Sequence, residues 1–102
     1  MSNRPAIISR NKNETLAQKG KFMKIYDFNG SKNICGKRIK EARKGQGLSQ
    51  EMLAAKLQIE GINIERDSIS RIDIGTRFIA DYELLVLCKV LNVSPQYLLG
   101  MN

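Results

Sequence analysis

Ile64-Glu65-Arg66-Asp67-Ser68-Ile69-Ser70-Arg71-Ile72-Asp73, closed by Gly75, is the stretch on which the fold turns. With Glu65 as the N-cap, Ile64 and Ile69 take the N′ and N4 positions of a hydrophobic staple, which fixes how the chain enters a short helix. At 100° per residue Ile69 and Ile72 point inward, whereas Asp67, Ser70, Arg71 and Ile74 point away and Arg66 flanks the first turn. Asp73 falls on the buried side of that flank. A carboxylate there needs a partner, because an unpaired buried charge is very costly.

Working outward, Leu48-Ser49-Gln50 opens the preceding helix. Ser49 is its N-cap, Leu53, Ala54 and Leu57 form its buried stripe, and Gly61 is placed to end it. Cys35, Ile39 and Ala42 repeat at helical spacing through an earlier helix that ends near Lys44, with Gly45 and Gly47 as stop signals. Downstream, a helix from about Asp81 to Leu91 puts Leu84, Leu87, Cys88 and Leu91 on one face, with Asn92 as a left-handed cap. Ser94-Pro95 starts a fifth, carrying Tyr97, Leu98 and Leu99 before Gly100. No alternating strand pattern or hairpin dipeptide competes, so the expected fold is all-α, with five helices over residues 33–102.

Residues 1–32 show no sustained period and mix Asn, Lys, Gly and Ser with isolated apolar residues, which predicts a basic, largely disordered tail. Within it Met23-Lys24-Ile25-Tyr26-Asp27-Phe28 is a short amphipathic piece suited to packing onto the domain.

A chain of 102 residues, 42% apolar and 26% charged, supports one soluble globular domain. Its net charge of +7 favours a polyanionic partner, nucleic acid or an anionic membrane surface. Residues 1–48 hold 12 Lys/Arg against three acids, and residues 49–102 hold 5 against 7. Such a distribution suits an arm and a first helix lying along phosphates. The richest apolar run, Leu84 to Cys88, is cut by Lys89, far short of the roughly 20 residues that span a bilayer. Ala6-Ile7-Ile8 is too short for a signal-peptide core, and the expected location is cytoplasmic.

Cys35 and Cys88, with no His and no third Cys, do not make a metal site. Both fall in register with apolar neighbours and read as small buried hydrophobes. No Ser or Cys sits beside a plausible base, and there is neither a glycine-rich phosphate loop nor a carboxylate pair in an apolar setting. An enzyme is not expected, and no cofactor is implied.

Two short helices in tandem, the second with a polar outer face carrying a basic residue, are how proteins present side chains to a DNA major groove. From about Asn33 to Gly100 the chain resembles the lambda-repressor-like, Xre/Cro-type helix-turn-helix DNA-binding family. The resemblance runs through Arg38-Ile39, Ala42-Arg43, Gly47-Leu48-Ser49-Gln50, Leu53-Ala54, Ser68-Ile69-Ser70-Arg71-Ile72, Gly75, Glu83-Leu84-Leu85 and Leu91-Asn92-Val93-Ser94.

The resemblance implies that Gln50, at the start of the second helix beside Ser49, contacts a phosphate. It implies that Arg66, Asp67, Ser70 and Arg71 face the major groove and that Arg77 contacts backbone. It also supplies the partner Asp73 lacks, a buried ion pair with Arg43. Asp67 has two readings, accepting from a cytosine amino group or pairing with Arg71 one turn on. Two departures stand out: Gln58 to Asn63 makes a longer connection than the family's tight turn, and Asp73 stands where the family usually has Glu.

The expected function is that of a sequence-specific DNA-binding transcriptional regulator, a repressor, with Arg71 and Arg66 reading base edges. A homodimer on a near-palindromic operator follows from the limited reach of one domain, and Leu85, Tyr97, Leu99 and Met101 are the apolar residues left over for its interface. The competing reading is a protein–protein interaction module of the same fold, antitoxin-like or a regulatory subunit, supported by the net acidity of residues 49–102.

Overall fold

The computed structural model describes residues 27–101, and the expected tail up to residue 26, with most of the amphipathic piece around Ile25, lies outside the described residues. Five helices follow in order: α1 (Gly36–Gly45), α2 (Gln50–Ile59), α3 (Arg66–Asp73), α4 (Asp81–Leu91) and α5 (Pro95–Leu99). All regular structure among the described residues is helical apart from one isolated bridge, so the expected all-α architecture holds.

Local chemistry sets the boundaries. The Ser49 hydroxyl accepts from the Met52 N–H at 3.0 Å, and the Ser94 hydroxyl accepts from the Tyr97 N–H at 3.0 Å ahead of Pro95, so two helices start on side-chain caps. Every helix stops at a residue with left-handed backbone: Gly47, Gly61, Gly75, Asn92 and Gly100. In each case the following N–H reaches back to the carbonyl of the last turn, as in Leu48 to Arg43, Ile62 to Leu57 and Thr76 to Arg71. This is the Schellman arrangement, and it satisfies carbonyls that a helix end would otherwise leave unpaired.

The core is assembled from all five helices. Ile39 comes from α1, Leu53 and Leu57 from α2, Ile69 and Ile72 from α3, Leu87 and Leu91 from α4, and Leu98 from α5, all fully buried. Burying such a side chain stabilises by about 1.5–3 kcal/mol, so the inward face of α3 is firmly anchored to α1 and α2, against which it packs.

The connection between α2 and α3 is long but not slack. Gln58 and Ile59 belong to the last turn of α2, and the Gln58 amide donates to the Ile64 carbonyl at 2.7 Å. Ile62 and Ile64 are buried in the core, so the extra residues plug the domain and hold the entry to α3.

One expectation fails. Asn29-Gly30 is a hairpin dipeptide, with φ of 53° and 83°, closing a two-residue turn in which Phe28 and Ser31 exchange backbone hydrogen bonds of 2.7 and 3.1 Å. Both central residues must be left-handed in such a turn, and Asn-Gly is the pair that tolerates it. With a single bridge there are no flanking strands to give an alternating pattern, which is why the turn was not legible from periodicity. Residues 28–32, expected as the end of a tail, are therefore held on the domain: the Lys32 N–H donates to the Gly75 carbonyl at 2.7 Å and the Ser31 hydroxyl to the same oxygen at 3.2 Å.

Candidate nucleic-acid interface

The outer face of α3 carries the predicted reading residues. Arg66, Asp67 and Arg71 are exposed, Ser70 is half-buried, and Ile74 just past the helix is exposed on the same side. The opposite face holds Ile69 and Ile72 at 0% exposure, so the wheel drawn from sequence is the one realised. Asp67 does not pair with Arg71. Its carboxylate takes the neighbouring Arg66 guanidinium at 2.8 Å, because a long side chain on the first turn can fold back over the helix start. Both groups are more than half exposed, so the pair is worth about 0–1 kcal/mol and yields readily to a ligand. Arg71 has no ion-pair partner among the described residues.

Behind this face lies a buried ion pair. Arg43 of α1 donates Nη2 to Asp73 Oδ2 at 3.0 Å and Nη1 to the Leu48 carbonyl at 2.8 Å, with the two side chains 6% and 2% exposed. The shorter Asp thus still reaches the arginine. Gln50 Nε2 donates to the same Oδ2 at 3.0 Å, so α1, α2 and α3 meet on one carboxylate oxygen. A carboxylate only accepts, so the amide must face it with its nitrogen.

Arg77 is placed beyond α3 and is equally engaged. Its guanidinium makes two parallel bonds to Glu83, and Glu83 also accepts the Ala80 N–H at the start of α4. Ser49 is exposed at the α2 N-cap, next to Gln50. Along α1, Lys37, Lys40 and Lys44 form an exposed basic stripe at helical spacing, and Lys37 lines the hollow that also borders Ile74 and Gly75.

The residue with most bonds around α3 carried no predicted role. Asn33 Oδ1 accepts from the Cys35 and Gly36 N–H groups at 3.0 and 2.7 Å, while Nδ2 donates to the Ile72 and Arg77 carbonyls at 3.1 and 2.8 Å. One amide thereby caps the start of α1 and ties down the end of α3. The available signal was its residue type, since an Asn just before a helix is a capping residue.

The helix-turn-helix family profile matches residues 39–98, well over half of the chain. The chain belongs to this family, the lambda-repressor/Xre-like helix-turn-helix domains. No curated protein and no solved structure matches it. Membership makes the chain a DNA-binding helix-turn-helix regulator of a typically non-enzymatic kind. Among the described residues no helix is long and apolar enough to cross a membrane, and no group of His, Cys, Asp and Glu is set to hold a metal ion.

Proposed function

We propose that this helix-turn-helix domain is a sequence-specific transcriptional repressor that reads the major groove with the outer face of α3. The observation that carries the reading is Arg71: exposed, unpaired among the described residues, and mounted on a helix whose inner face is locked into the core. A bidentate arginine on guanine is worth about 1–3 kcal/mol of discrimination, and a rigid mount keeps that contact selective. Arg66 and Asp67 exchange their mutual pair for base-edge contacts, and Ser70, half-buried, lies one turn further along the same helix.

Register on the duplex comes from phosphate contacts by Ser49 and Gln50 at the N-terminal end of α2, by Arg77, and by the lysines of α1. The basic residues before Asp27 add to this, since the chain joins the domain at Gly75, beside the end of the reading helix. The protein acts as a cytoplasmic homodimer on two half-sites. Leu85 and Met101 are 68% and 69% exposed, Tyr97 and Leu99 are half-buried, and these residues form the dimer contact.

Filter binding of the full chain to fragmented genomic DNA across a salt series tests the proposal. Retention that falls steeply with salt supports it. Retention at no salt concentration would favour an interaction module that binds a partner protein, the reading to which the net acidity of residues 49–102 belongs.

A further inference from the structure

We propose that Asp73, which is out of reach of any ligand, is a positioning residue for DNA binding and acts through Gln50. The inference rests on the DNA-binding reading above and adds a residue to it that touches no DNA. The Asp73 side chain is 2% exposed, whereas Gln50 is half-buried at the exposed start of α2. Gln50 has two amide N–H groups. One is spent on Asp73 Oδ2 at 3.0 Å, which restricts the amide and leaves the other N–H to point away from that oxygen.

An unrestrained glutamine on a helix surface loses rotamer freedom when it binds a phosphate. Here part of that freedom is already removed, and the restraint comes from the last residue of the reading helix. The end of α3 and the Gln50 amide are thereby joined through one oxygen atom. Arg43 makes the arrangement stiff, because it holds the same oxygen at 3.0 Å and is itself tied to the Leu48 carbonyl in the turn leading to α2.

Arg43 Nε and Asp73 Oδ1 are buried with no hydrogen-bond partner among the described residues, so the carboxylate is held through Oδ2 alone. The place of that one oxygen depends on the length of the side chain at position 73. Glutamate keeps the charge that Arg43 needs and moves the oxygens by one methylene, so the oxygen that Arg43 and Gln50 now share shifts relative to Gln50.

The test is a double-variant cycle of Gln50→Ala and Asp73→Glu in the full chain. Affinity is read on a selected DNA site, and urea unfolding is measured on the same four proteins. Both single variants keep the Arg43 counter-charge and are expected to remain folded at 25 °C. Each should weaken binding by about tenfold, the scale of one charge-assisted hydrogen bond. The double variant should lose no more than either single one, because both cut the same link.

Losses that multiply in the double variant would overturn the proposal, as would wild-type affinity in Asp73→Glu. Coupling seen in urea unfolding but absent from DNA binding would reduce the link to a purely structural one and also overturn it. If the unaltered chain binds no DNA at all, the DNA-binding reading falls first and this inference falls with it, which is a different result from multiplied losses.

Discussion

Arg77 and Glu83 are joined by two parallel hydrogen bonds, Nη1 to Oε1 at 3.0 Å and Nη2 to Oε2 at 3.1 Å, which bind the loop after α3 to the first turn of α4. Glu83 is buried, and burial alone would raise its pKa. The Arg77 hydrogen bonds, the Ala80 N–H and the Arg77 charge outweigh that and hold the carboxyl below its ordinary value of 4.5. A lowered folded-state pKa stabilises fully above the unfolded value, and the contribution is lost as pH falls through the folded one. Glu83→Gln should therefore cost about 1–3 kcal/mol at neutral pH. Its deficit should shrink in urea melts as pH falls through the folded-state pKa of Glu83, where the wild type loses the same interaction.

Gly36 lies where α1 meets the end of α3, and a Cβ there would run into the Ile72 carbonyl oxygen. Gly36→Ala should lower the urea midpoint by an overpacking cost of about 1–3 kcal/mol. Gly45, at the other end of the same helix, has open space around it. Gly45→Ala should be neutral or stabilising by up to about 1 kcal/mol, so the two substitutions should differ in sign.

Five helices and most of the core were legible because each rule that reads a sequence agreed with the others here. Ser49 and Ser94 cap, Gly61 and Gly75 stop, and Ile69 and Ile72 share a face, so no tertiary contact had to override a local preference. The Arg43–Asp73 pair was half legible: periodicity placed Asp73 inside, and only the family resemblance named its partner. Contacts that join residues far apart in sequence left no such trace. The bond from Gln50 to Asp73, the bonds from Asn33 to the Ile72 and Arg77 carbonyls and the pairing of Arg77 with Glu83 depend on where helices and loops meet, and helical spacing carries no information about that. The Asp67 carboxylate shows the same limit at short range, since helical spacing favours Arg71 and the first-turn Arg66 reaches it instead.

Cys35 and Cys88 are 4% and 8% exposed, and burial pushes both thiols up, Cys35 further by the nearby Cys88 despite the opposing charge of Arg38. Because the thiolate is the reactive form, alkylation of the folded protein at mildly alkaline pH should run more than about tenfold slower than in urea. Mass spectrometry of both cysteines during iodoacetamide treatment checks this. Equal rates in the two states would show that the α1–α4 side of the core is open.

Arg71→Ala should weaken binding to a selected site by a factor on the order of 10 to 100, the loss of one bidentate base contact, while barely changing affinity for random duplex. Parallel salt titrations on the two DNAs check it. Equal losses on both would assign Arg71 to the phosphate backbone.

The central claim is that the outer face of α3 reads duplex sequence, and selection of bound DNA from a random duplex library by the full chain tests it most directly. The account predicts enrichment of a two-fold symmetric site whose half-sites lie about one helical turn apart. A library that stays random through successive rounds would contradict it.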